Sequence, residues 1–172
     1  MAPVDTADFD TADFDAAPEP EAYSLLSACC ASERWIRSML AARPVGSLER
    51  LVAASDTAIG ELAWPDVEQA LAAHPRIGER RPGTDVEARW SRQEQAGAAA
   101  VADPTAAAHR AGNVAYERRF GHVFLICASG RSAAEMLAAL QLRLGNPPDV
   151  EREVVRGELG AIVRLRLAKA FR

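Results

Sequence analysis

His74 stands directly before Pro75, and a proline biases the residue before it away from the α region towards an extended backbone. The imidazole therefore falls where a helical pattern gives way to a loop. With an unperturbed pKa of about 6.5, a histidine so placed suits general acid or base work. The plain alternative is a side chain that interacts with a helix C-terminus and does no chemistry. Ser91-Arg-Gln-Glu94 reads as a capping box, with Trp90 as its hydrophobic staple. Capping alone accounts for that pattern. A helix start also offers N–H groups and partial positive charge to an anionic ligand, and Gln95 adds an amide there. Arg166 continues the apolar stripe of Val155, Leu159 and Ile162. Its guanidinium either snorkels at the stripe's edge or enters a pocket to hold carboxylate or carbonyl oxygens. Arg131 precedes a second box, Ser132-Ala-Ala-Glu135, and reads equally well as a surface residue. His109 and His122 lack carboxylate or cysteine neighbours at metal-ligand spacing and read as structural.

The elements that must position these residues are helical. Alanine is abundant, aromatic residues make up 6% of the 172 residues, and β-branched runs are scarce, which excludes an all-β barrel or sandwich. The expected fold is all-α, a single-domain compact multi-helix bundle. Helices are expected near 22–31, 32–42, 47–63, 65–73, 88–102, 104–120, 132–144 and 149–170, broken at Pro44, Gly46, Asp103-Pro104, Gly121 and Gly145-Asn-Pro-Pro148. Val123-Phe-Leu-Ile-Cys127 is the clear β-prone run. With no second strand to pair, it is expected as a short buried extended segment.

Residues 1–21 hold seven acidic side chains and no basic one, so a formal net charge of −4 conceals a remainder of +3. The tandem copies Thr6-Ala-Asp-Phe-Asp10 and Thr11-Ala-Asp-Phe-Asp15, followed by Pro18 and Pro20, predict a disordered acidic tail over 1–20 and a helical domain over 21–172. The mild remainder argues against a nucleic-acid partner. No run approaches the roughly 18 apolar residues of a membrane span. Cys29, Cys30 and Cys127 form neither a disulfide framework nor a zinc pattern. With no signal-peptide pattern and no peroxisomal ending, the expected setting is a bacterial cytoplasm.

The order and spacing of these motifs resemble the 2-oxo-4-hydroxy-4-carboxy-5-ureidoimidazoline (OHCU) decarboxylases of urate degradation. The resemblance runs from about Leu26 to Phe171. It passes through Cys29-Cys30, Trp35, Arg43-Pro44, Ala73-His-Pro-Arg-Ile-Gly78, Trp90-Ser-x-x-Glu-Gln-Ala-Gly97, Asn113-x-x-Tyr-Glu-x-Arg-Phe-Gly121, Phe124-Leu-Ile-Cys-Ala128, Gly130-Arg-Ser132, Arg143-Leu144, Asn146 and Leu165-Arg-Leu167. His-Pro paired with Ser-x-x-Glu-Gln at this separation is the specific part. The resemblance implies an all-helical homodimer that needs no metal or cofactor and releases CO₂ from OHCU to give (S)-allantoin. It places the catalytic pair on His74 and Glu94. It places substrate contacts on Pro75, Ser91, Gln95, the backbone of Phe124, Leu125, Ile126, Cys127 and Ala128, and Arg166.

Two other readings compete. A helical hydrolase or lyase acting on another ureide would share the same pocket, and only product identity separates it from the decarboxylase. A non-enzymatic helical module would bind an acidic partner through arginines gathered on one face. Here the arginines spread from Arg34 to Arg172, and the module gives no reason for His-Pro, Ser-x-x-Glu-Gln and a buried extended segment to coexist.

Overall fold

The computed structural model describes residues 10–74, 76 and 104–171. Among these residues the fold is all-α, with eight helices and no strand: α1 (Thr11–Ala16), α2 (Glu19–Cys29), α3 (Glu33–Ala41), α4 (Leu48–Gly60), α5 (Trp64–Ala72), α6 (Pro104–Phe120), α7 (Ala133–Arg143) and α8 (Pro148–Ala170). The helix expected near 88–102 lies outside the described residues. The described residues group into two compact units, one holding residues 10–70 and 160–171, the other holding residues 71–74, 76 and 104–159. None of the helices is long and apolar enough to cross a membrane.

In the first unit, serine caps start two helices. Ser32 Oγ accepts the Trp35 N–H at 3.4 Å and Ser47 Oγ the Arg50 N–H at 3.3 Å, each satisfying a donor that a helix start leaves over. Along α3 the buried residues are Trp35, Ile36 and Met39, while Arg34, Arg37 and Ser38 face solvent, the spacing of a helix with one apolar face. Buried Trp35 keeps its indole N–H satisfied by donating to Ser55 Oγ at 3.1 Å.

The disordered tail expected over 1–20 is not what residues 10–20 do. Thr11–Ala16 is helical, capped by Asp10, and Phe14 is completely buried. The Phe14 ring meets Phe171 edge-on at 5.2 Å, and the Arg43 guanidinium lies 5.1 Å over its face. Asp15 accepts N–H bonds from Val45 and Gly46 at 2.8 Å each, while Arg43 donates to the Asp15 and Ala17 carbonyls. Average composition hid this docking. One aromatic anchor and one carboxylate that caps a loop hold a six-residue helix whose other side chains are small or polar.

In the second unit, α6 and α7 pack around Tyr116, Phe124, Ile126, Ala128, Met136 and Leu140. Gly112 allows the approach, since a Cβ there would meet Leu140 Cδ2 at 2.6 Å. Gly121, at φ +79°, ends α6 and returns its N–H to the Glu117 carbonyl, a left-handed cap that glycine adopts without strain. The capping box at Ser132 forms as expected: Ser132 Oγ takes the Glu135 N–H, and Glu135 takes the Ser132 N–H at 2.7 Å.

Candidate active site

Residues 123–128 are neither helical nor paired in a sheet, as the sequence led us to expect. Phe124, Ile126 and Ala128 belong to the α6–α7 core, whereas Leu125 is buried outside that cluster and Cys127 is half-buried. That two-residue alternation is the signature of an extended chain. A buried backbone outside regular structure must still satisfy its polar groups, and here side chains do so. Arg143 Nη1 donates to the Leu125 carbonyl at 2.8 Å, and Glu158 Oε2 accepts the Cys127 N–H at 2.8 Å. Arg131 pairs with Glu158 at 3.5 Å.

Arg143 is held in turn. Its Nε and Nη2 donate to Glu151 Oε1 at 2.8 and 2.6 Å, and the guanidinium lies 4.6 Å over the Phe124 ring. Glu151, completely buried in the first turn of α8, also accepts from Tyr116 Oη and, at 2.7 Å, from Asn146 Nδ2. Burial, followed by the hydrogen bond to Glu151, pushes the Tyr116 phenol well above its ordinary value. A buried ion pair is tolerable only when its remaining lone pairs and protons are satisfied, and this one is ringed by tyrosine, asparagine and a main-chain carbonyl.

His74 follows the last turn of α5, where its N–H returns to the Leu71 carbonyl at 2.9 Å. The residue is half-buried and its Nε2 is shielded from solvent. Two residues on, the Arg76 guanidinium grips Glu117 of α6 through both carboxylate oxygens, at 2.5 and 2.8 Å. That fork holds the Glu117 carboxyl below its ordinary range. Pro75, Ser91, Glu94 and Gln95 lie outside the described residues.

Arg166, in the first unit, is almost wholly buried, and its Nη1 donates to the Cys29 carbonyl at 3.3 Å, at the end of α2. It is no snorkelling residue at the edge of the stripe. His109 Nε2 bonds the Ala133 carbonyl at 2.9 Å, in keeping with its structural reading. Among the described residues no three His, Cys, Asp or Glu side chains gather as a metal site.

Arg143 entered the sequence reading only as a residue of the family pattern, with no role, and Glu151 and Glu158 did not enter it. Arg143 and Glu151 stand on apolar helix stripes as Arg166 does. Arg143 continues the α7 row Met136, Leu140 at +4 and +3, and Glu151 sits four residues before Val155 on the α8 stripe.

The profile of the OHCU decarboxylase family matches residues 15–168. The chain belongs to the OHCU decarboxylase family. It is 34% identical over 128 residues to the OHCU decarboxylase of Amia calva, covering 73% of each chain. It is 37% identical over 147 residues to the uric acid degradation bifunctional protein TTL of Arabidopsis thaliana, spanning 83% of this chain but 45% of that protein. Among solved structures it is similar to an OHCU decarboxylase crystallised in the presence of (S)-allantoin. The TM-score is 0.74 at 30% identity, covering 89% of this chain and 97% of that one. An (S)-allantoin synthase structure shares the fold, with a TM-score of 0.73 at 18% identity over 95% of this chain and 54% of that one.

Proposed function

We propose that this member of the family decarboxylates OHCU to (S)-allantoin, using no metal or organic cofactor. The observation that carries the reading is the likeness, over nearly the whole of both chains, to the decarboxylase solved with (S)-allantoin. The chemistry agrees with the residue types. The departing carboxylate sits on a carbon whose developing negative charge spreads into the adjacent C=N and carbonyl system, so the substrate supplies its own electron sink. The protein must orient it and control protons.

His74 is proposed to manage the proton on the substrate's hydroxyl or ring, with Glu94 orienting or polarising it. Pro75, Ser91 and Gln95 are proposed as further contacts. The backbone of residues 124–128 and the buried guanidinium of Arg166 stabilise developing charge on oxygen. Delivery of a proton to one face of the resulting carbanion fixes the S configuration. A homodimer and a bacterial, cytoplasmic setting complete the proposal; the homodimer rests on the motif resemblance.

The test uses OHCU generated freshly from urate by the two preceding enzymes. The protein, dialysed against a chelator, is expected to remove OHCU faster than it decays spontaneously. Loss at the spontaneous rate contradicts the assignment, and activity that vanishes with the chelator contradicts the cofactor-free part.

A further inference from the structure

We infer that Glu158, together with Arg143, is a positioning residue that fixes which edge of the 124–128 backbone is offered to the ligand. The inference rests on the reading of this segment as a substrate contact and supplies the device that orients it. In an extended chain the N–H and C=O of one residue point to one edge and those of the next residue to the other. Residues 123–128 are neither helical nor turned, and Phe124, Ile126 and Ala128 join the α6–α7 core while Leu125, though buried, and half-buried Cys127 do not, which marks the segment as extended. Its two side-chain anchors both seize odd-numbered residues: Arg143 takes the Leu125 carbonyl and Glu158 the Cys127 N–H, at 2.8 Å each. The opposite edge therefore carries the N–H groups of Ile126 and Ala128 and the carbonyls of Phe124 and Ile126. That donor and acceptor sequence complements a planar ureido or lactam group.

Two anchors two residues apart do what a neighbouring strand does in a sheet: they fix the rotation of the segment about its own axis. Only one edge is then left to a ligand. The anchors differ in how replaceable they are. Arg143 is bound into the buried Glu151 network, whereas Glu158 retains some solvent exposure, its other oxygen turned to half-exposed Arg131. Glu158 is thus the anchor that can be removed without exposing an uncompensated buried charge.

The experiment compares Glu158→Ala with Glu158→Gln, whose amide oxygen can still accept the Cys127 N–H. Glu158→Ala is expected to raise KM for OHCU about tenfold, the order of one hydrogen bond lost or misdirected, and to lower kcat as well, because the same backbone stabilises developing charge on oxygen. Glu158→Gln should keep KM within about threefold of the parent. Hydrogen exchange at the Cys127 amide reads the same anchor without substrate, and is expected to quicken in the alanine variant alone. Parental KM and unchanged exchange in Glu158→Ala overturn the inference. So does an equal loss in both variants, which assigns the effect to charge, or a loss that merely tracks a collapsed melt, which assigns Glu158 to stability. If the parent protein fails to turn over OHCU, the functional proposal falls, and the exchange measurement alone decides the anchor.

Discussion

Replacing Glu151 by glutamine tests the buried network with almost no change in volume. Glu151 is completely buried and receives four donors, from Arg143, Tyr116 and Asn146. Glutamine removes the negative charge and puts an NH₂ where an acceptor stood, facing donors. Arg143, whose side chain is 7% exposed, then keeps its charge in the interior without a counter-ion. Breaking a buried pair from one side costs about 3–5 kcal/mol. At roughly 2–4 °C per kcal/mol for a chain of this length, the melt should fall by roughly 6–20 °C. The double variant Arg143→Gln/Glu151→Gln removes both charges, so its loss should be smaller than the sum of the single losses by at least about 1 kcal/mol. Calorimetric melts of the parent, both singles and the double variant provide the cycle. A Glu151→Gln melt within about 3 °C of the parent, or strict additivity, refutes the reasoning.

Phe14→Ala should cost about 3–5 kcal/mol, as large-to-small changes at buried aromatics do; a melt unchanged by it would restore the disordered tail. Glu117→Gln should flatten the acid limb of the stability curve. The Arg76 fork lowers the folded-state pKa of Glu117 below its ordinary 4.5, so its contribution is present above that value and fades as pH falls through the depressed one. A parental acid midpoint in the variant contradicts this. Tyr116 has a raised pKa in the fold, so the stability tied to its neutral form is complete below about pH 10 and is lost as pH rises further. Tyr116→Phe should lose less stability than the parent over that alkaline range, which urea titrations at pH 8 and 11 check. His74→Asn should lower kcat by about 10²- to 10⁴-fold with the melt preserved. Near-parental turnover would make His74 structural.

The helices were legible because their boundaries are written in local chemistry: Pro104, Gly121 and the Ser132 box set ends that the structure places within a residue or two. Val123–Cys127 was legible for a related reason, since an apolar run too short for a helix and lacking a strand partner has few options. Phe14 was not legible. Its segment is acidic and repetitive, and what anchors it, Phe171 and the loop at Val45-Gly46, lies far along the chain or across it. The Glu151 network was missed because an acidic residue in the first turn of a helix already has a sufficient local explanation, the helix dipole. Its place four residues before Val155 marks an inward face, but only the fold shows that it meets Arg143. Glu158 has no sequence signal beyond its place near an apolar stripe, because what it binds is a main-chain N–H of a distant segment.

Circular dichroism of the product tests most directly whether this chain directs the breakdown of OHCU to one stereoisomer. With fresh OHCU, the parent protein should yield (S)-allantoin with a signal that grows as substrate disappears, and His74→Asn should return both rate and product towards the spontaneous reaction. Racemic allantoin formed at the uncatalysed rate in the presence of well-folded parent protein would contradict the account.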